Sequence, residues 1–187
     1  MTQSSTVVLL GSTGSIGTRA LDVARSHPDK IRLTGLFAHQ RVEELAIQVR
    51  EWRVPLVGIG DPAAAARFDR SCLPPGARLF IGPDAATDMA ADPSSDVVLN
   101  AVVGSAGLAP SLAAVTRGAR LALANKESLV VAGEMVTRAA RQQGALILPI
   151  DSEHSGLFQC LAGRVPPPAG ESTGPGGRAH ANCPLPV

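Results

Sequence analysis

Apolar residues gather in short runs along this chain, at Thr6 to Leu10, Ile31 to Ala38, Leu56 to Ile59, Arg78 to Ile81, Val97 to Val103, Ala119 to Ala124 and Ala145 to Ile150. The runs recur every 20 to 30 residues, roughly, and read as seven strands. Most are apolar throughout instead of alternating, which predicts burial on both faces, as in parallel strands covered by helices. The segments between them carry a different period. Ile16, Ala20, Val23 and Ala24 follow i, i+4, i+7, i+8, and Val42, Leu45, Ala46 and Val49 follow i, i+3, i+4, i+7, so each segment predicts a helix with one core-facing stripe. A third helix is expected from Asn125 as N-cap through Leu129, Ala132, Val136 and Ala140, ending at Gly144. This alternation predicts an open, doubly wound α/β sheet, mostly parallel, with right-handed crossovers.

The first strand runs into Gly11-Ser12-Thr13-Gly14-Ser15-Ile16-Gly17 directly before a helix. A side chain at Gly11 or Gly14 is expected to obstruct a tight turn or the approach of a pyrophosphate, and Gly17 to let the helix pack close to the strands. Unpaired N–H groups at the helix start, with the Thr13 and Ser15 hydroxyls, suit phosphate oxygens. The spacing is Gly-x-x-Gly-x-x-Gly, so a purely structural turn stays open as an alternative. After the second strand, Ala38-His39-Gln40-Arg41 offers no acidic residue for ribose hydroxyls. Arg41, assisted by His39, suits a 2′-phosphate instead and points to NADP; the alternative is a solvated residue at a helix start.

Composition narrows the class without naming a reaction. The chain has 187 residues, 45% of them hydrophobic and 3% aromatic, enough for one core of Val, Leu, Ile and Ala and the beginning of a second domain. The net charge of +1, with Lys and Arg scattered, argues against nucleic acid and membrane surfaces as partners. Cys72, Cys160 and Cys183 form no Cys-x-x-Cys pair, which predicts reduced thiols and a cytoplasmic setting. The expected division is a nucleotide-binding domain at 1–150, the start of a catalytic domain at 151–162, and a disordered tail at 163–187. That last stretch holds six prolines and five glycines and no helical or strand period. Its abrupt onset suggests a chain leaving its parent sequence by frameshift or truncation, with a natural linker as the alternative.

Three further segments bring candidate chemistry to the carboxyl ends of strands, where open α/β sheets bind ligands. Asn100 to Leu108 is rich in small residues that admit a close backbone. Ala124-Asn125-Lys126-Glu127-Ser128-Leu129-Val130 offers the Lys126 ammonium to an anionic or hydroxylated substrate and the Glu127 carboxylate to a cofactor amide or ribose, unless it simply begins a helix. Asp151-Ser152-Glu153-His154 supplies two hard oxygen ligands, Asp151 and Glu153, suited to Mg²⁺ or Mn²⁺. Ser152 between them can bond a substrate hydroxyl. The plainer account makes Asp151 and Ser152 caps of a helix through Leu157, Phe158 and Leu161, with His154 in a supporting or packing role.

Together the segments 11–17, 103–108, 124–130 and 151–154 resemble 1-deoxy-D-xylulose 5-phosphate reductoisomerase, the resemblance covering roughly residues 6 to 161. It implies a Rossmann-type domain holding NADPH through Thr13, Gly14, Ser15, Ile16, Asn125 and Glu127. It also implies that Lys126 and Ser152 meet a sugar phosphate substrate, that Asp151 and Glu153 ligate Mg²⁺ or Mn²⁺, and that the full-length enzyme is a homodimer. Lys126, Ser152 and Glu153 are then the catalytic candidates, and Gly11, Gly17 and Arg41 join the cofactor set. Residues 39–41 depart from the Gly-Lys-Asn type of sequence associated with several relatives. The family also needs a third carboxylate, a phosphate-binding set and a covering loop downstream, whereas Glu171 is the one acidic residue after Glu153. Little or no turnover is therefore expected of this polypeptide alone. A binding module without turnover, or a dehydrogenase of the semialdehyde or homoserine type, are the competing readings.

Overall fold

The computed structural model describes residues 4–124 and 126–161, without side-chain detail at 127, 128, 152 and 161. The expectations for Asn125, Cys183 and the tail lie outside the described residues.

Seven strands form where the apolar runs predict them: β1 (Ser5–Leu10), β2 (Ile31–Ala38), β3 (Leu56–Ile59), β4 (Arg78–Ile81), β5 (Val97–Asn100), β6 (Arg120–Leu123) and β7 (Ile147–Pro149). They make one sheet in the order β4-β3-β2-β1-β5-β6-β7, and every pairing is parallel. Seven helices cover it: α1 (Ser15–Ser26), α2 (Val42–Trp52), α3 (Pro62–Ala65), α4 (Ala85–Ala91), α5 (Leu108–Thr116), α6 (Lys126–Gln143) and α7 (Ser152–Leu161).

Strand β1 shows why its residues are apolar on both sides. Val7 and Leu9 join Leu21 of α1 and Leu45 and Val49 of α2 in one core. Val8 and Leu10 join Met89 of α4, Val115 of α5 and Val136 of α6 in the other. Each fully buried Leu or Val contributes roughly 1.5–3 kcal/mol over its exposed state, so the two layers hold the sheet from opposite faces. The edge strand β4 departs most from the expected burial, with Arg78 and Ile81 exposed and no residue fully buried.

The stripe on α2 is as the period predicts, with Val42, Leu45, Ala46 and Val49 all buried. On α1 the stripe is one residue out of phase with the prediction. Gly17, Leu21 and Ala24 face the core, while Ile16 and Val23 are 38% and 51% exposed. The cause is Gly17, which must lie against the preceding loop and so sets the rotation of the whole helix. The predicted run to Val103 stops at Asn100, because the Asn100 side chain turns the chain by accepting from the Val102 N–H at 3.1 Å.

Helix α6 ends as expected before Gly144, which takes a left-handed φ of 65°, and Val136 and Ala140 are buried. Its first half differs from the prediction. Ala132 leaves helical geometry, at φ −146° and ψ 34°, and the kink takes Leu129 off the core stripe, to 37% exposure. Helices α3, α4 and α5 have no counterpart in the sequence reading. They are short and rich in alanine, so their apolar periods are weak.

Candidate functional site

The strand order reverses between β1 and β5, and the segments of interest follow β2, β1, β5, β6 and β7, five consecutive positions across the sheet. All five therefore leave the same carboxyl edge, around the switch point where open α/β sheets take ligands.

The glycine loop is built by close backbone contacts. Gly11 has a φ of 87°, and a Cβ there would lie 2.7 Å from the Ala101 carbonyl oxygen on the far side of the switch point. A Cβ on Gly17 would lie 2.2 Å from the Gly11 oxygen and 2.7 Å from the Ser12 backbone. Gly14 is less constrained: it stands at the N-cap of α1 with φ −77° and ψ 171°, open to any residue, and a Cβ there would meet the Gly11 oxygen at 3.3 Å, a tight contact but milder than those at Gly11 and Gly17. The steric demand falls on the outer two glycines of the motif.

Helix α1 begins without a side-chain cap or an acidic residue in its first turn. Among the described residues nothing accepts from the N–H groups of Thr13, Ser15 or Ile16. Helices α2, α4 and α5 likewise lack a side-chain cap, whereas Asp61 accepts from the Ala63 N–H at the start of α3 and Asp151 from the His154 N–H at the start of α7, each at 2.8 Å. The glycine-loop helix is thus left with free donors and the positive end of its dipole facing the crevice. Thr13 is buried, and Ser15 stands exposed at the mouth.

Two buried ties fix the loops, and sequence reasoning missed both. Ser12, fully buried, donates its hydroxyl to Gln48 Oε1 at 2.7 Å and accepts from Gln48 Nε2 at 3.1 Å. Asn100, also fully buried, donates through Nδ2 to the Gly107 oxygen and to Ser111 Oγ, each at 2.8 Å. Its own carbonyl accepts from the Ala124 N–H at 3.0 Å, joining the exits of β5 and β6. A polar residue interrupting an apolar run was the available signal in each case.

Arg41 lies at the start of α2, half exposed, with its guanidinium 3.1 Å from Glu44 one turn on. The feature noted as the plain alternative, a solvated helix-start pair, is what the ligand-free geometry contains; a phosphate would have to compete with Glu44 for it. His39 sits beside Gly60, where a Cβ would come within 2.4 Å of its Nδ1.

At the other end of the row, Lys126 Nζ lies 4.0 Å from Asp151 Oδ2, so β6 and β7 bring together two residues 25 positions apart. Asp151 caps α7, as the plainer account of this motif holds, and both its oxygens lie 2.8 Å from His154 Nδ1. Burial pushes the Asp151 carboxyl up, but the His154 ring and backbone hydrogen bonds and the Lys126 charge outweigh it and hold the carboxyl below the ordinary aspartate value. The group is an anion at neutral pH, as a metal ligand must be. Glu153 is exposed in the first turn of α7. Among the described residues no cluster of three or more His, Cys, Asp or Glu is assembled to hold a metal ion. No described helix is long and apolar enough to cross a membrane.

A parallel sheet wound on both faces, reversing at a glycine loop that precedes a helix without a side-chain cap, defines an α/β domain of the Rossmann type. Residues 7–133 match the family model of 1-deoxy-D-xylulose 5-phosphate reductoisomerase, and the chain belongs to that family. It is 54% identical over 158 residues to the reductoisomerase of Rhodococcus jostii strain RHA1, covering 84% of this chain and 38% of that protein. To the enzyme of Nitratidesulfovibrio vulgaris strain DP4 it is 47% identical over 163 residues, covering 86% and 40%. Among solved structures it is similar to the Zymomonas mobilis reductoisomerase in complex with NADPH, with a TM-score of 0.79 at 37% identity over 86% of this chain and 42% of that one. A reductoisomerase in complex with NADPH, fosmidomycin and magnesium matches with a TM-score of 0.77 at 37% identity, covering 83% and 38%. The chain thus spans about 40% of the length of the curated relatives it matches.

Proposed function

We propose that this chain carries the NADPH-binding portion of an enzyme that converts 1-deoxy-D-xylulose 5-phosphate to 2-C-methyl-D-erythritol 4-phosphate. The observation that carries the reading is the glycine loop: free N–H groups at Thr13, Ser15 and Ile16 beside two positions where a Cβ would strike backbone. Such a loop fits a diphosphate, whose oxygens need donors, and the two glycines let the chain fold tightly enough to present them. Family membership and the NADPH complexes of similar structures support the choice of dinucleotide.

In this reading the Gly11 to Gly17 loop grips the diphosphate, and Arg41, released from Glu44, meets the 2′-phosphate with help from His39. Asn125 and Glu127 are the further cofactor contacts, while Lys126 and Ser152 bind and orient the sugar phosphate. Asp151 and Glu153 would hold a divalent ion; both are hard oxygen donors, and Asp151 is kept ionised by His154, so the donor chemistry fits Mg²⁺ or Mn²⁺. When bound, the two groups supply a hydride and a Lewis acid. The chain's own task is to fix where each is held. Sugar phosphate as the partner, the full-length homodimer and a cytoplasmic setting belong to this reading as well.

Calorimetric titration of the purified chain tests it. NADPH is expected to bind more tightly than NADH, and Arg41→Ala to narrow the preference by about tenfold, the loss of one charge-assisted contact. A folded chain, by circular dichroism, that gives no heat with NADPH would refute it.

A further inference from the structure

The stripe that α2 buries against the sheet contains one polar member, Gln48, at 9% exposure among Val42, Leu45, Ala46 and Val49. An amide in such a layer is costly unless both ends are satisfied. Both ends go to Ser12. The Ser12 carbonyl oxygen can only accept, so the group facing it at 3.1 Å is Nε2, which leaves Oε1 to accept from the Ser12 hydroxyl at 2.7 Å. The Ser12 N–H in turn donates to the Phe37 oxygen at 2.9 Å. Every polar group of this fully buried residue is therefore pinned, two of them by Gln48.

The consequence lies in the next peptide plane. In a trans peptide the carbonyl and the following N–H point in opposite directions. With the Ser12 oxygen drawn toward α2, the Thr13 N–H is turned away from α2, and among the described residues it meets no acceptor.

We propose that Gln48 is a positioning residue for dinucleotide binding: by holding the Ser12 carbonyl inward it aims the Thr13 N–H at the diphosphate. The proposal rests on the reading of the glycine loop as a diphosphate site. Gln48 touches no ligand itself; it acts through the orientation of one peptide. Without its amide the Ser12 oxygen is buried with no donor, and rotating the Ser12–Thr13 peptide relieves that at the expense of the outward N–H.

The test compares two ligands on the whole chain. Gln48→Met keeps the volume and removes the amide; Gln48→Glu keeps the shape and replaces the Nε2 donor with an acceptor. NADPH, which carries the diphosphate, should bind either variant about tenfold more weakly than the original chain. Adenosine 2′-phosphate, which lacks it, should bind within about twofold. If Gln48→Met fails to fold by circular dichroism, Gln48→Glu decides alone. Equal loss for both ligands would reduce Gln48 to a packing residue, and no loss for either would remove it from the site; both outcomes overturn the proposal. Failure of the unsubstituted chain to bind NADPH is a distinct result, and it would sink the diphosphate reading together with any positioning role.

Discussion

At Gly17 one added methyl group has nowhere to go, since the atoms it would meet are backbone of Gly11 and Ser12 and not the movable end of a side chain. Gly17→Ala should therefore destabilise the fold by about 1–3 kcal/mol or more, as overpacking of a rigid contact does, and weaken NADPH binding along with it. Gly14→Ala is the control, because its backbone is already extended; a urea midpoint close to that of the original chain is expected. Equal midpoints for the two variants would mean that the loop is looser than its contacts imply. Asn100 makes the same kind of argument with hydrogen bonds. Asn100→Ala would take the amide donor from the Gly107 oxygen and from the buried Ser111 hydroxyl, at about 1–3 kcal/mol for each group left dry, visible in the same denaturation series. Asp96 carries a pH consequence. The Thr6 backbone and hydroxyl donate to its carboxylate at 2.9 and 2.8 Å and, against burial, hold its pKa below the usual aspartate value. A folded-state pKa that is depressed contributes stability above the unfolded value of about 3.9, lost as pH falls through the lower folded one. Unfolding curves should show this acid loss in the original chain and less of it in Asp96→Asn.

Elements were legible in proportion to how strongly their period stood out. The seven strands appear as apolar runs because burial on both faces leaves few polar positions to break them, and α2 shows its face because its stripe repeats over about three turns. Helix α1 was legible as a helix but not in its rotation, since Ile16 and Val23 look like core residues until the contact of Gly17 with the loop is known. That correction makes a prediction at this scale. Leu21→Ala should cost about 2–5 kcal/mol, the range for truncating a buried leucine, whereas Val23→Ala, on the solvent side, should stay within about 0.5 kcal/mol. A thermal melt that ranks them the other way would restore the stripe that the sequence suggests. The candidate site was readable as motifs at strand ends. What joined them was not: the Ser12–Gln48 and Asn100–Ser111 ties link residues 36 and 11 positions apart, and single polar residues in apolar surroundings carry no period. The approach of Lys126 to Asp151 likewise depends on β6 and β7 being neighbours, which is a property of the sheet order.

For the molecule as a whole, binding and turnover should come apart. The proposed dinucleotide site draws on β1, β2, β5 and the helix α1, all within the described residues, and the sheet that carries it is packed on both faces. The proposed metal ligands are fewer: Asp151 and Glu153 are two oxygen donors where Mg²⁺ or Mn²⁺ takes a larger set, and among the described residues no group of three or more His, Cys, Asp or Glu is assembled. Incubating the purified chain with 1-deoxy-D-xylulose 5-phosphate, NADPH and Mn²⁺ should leave the NADPH absorbance unchanged while calorimetry still reports NADPH binding. Turnover comparable to that of the full-length relatives would overturn the division of labour. If the chain is completed with the downstream portion of a family member, metal-dependent turnover should appear. Asp151→Asn should then abolish it without disturbing NADPH affinity, because the asparagine can still cap α7 through its side-chain oxygen but no longer brings a negative charge to the metal.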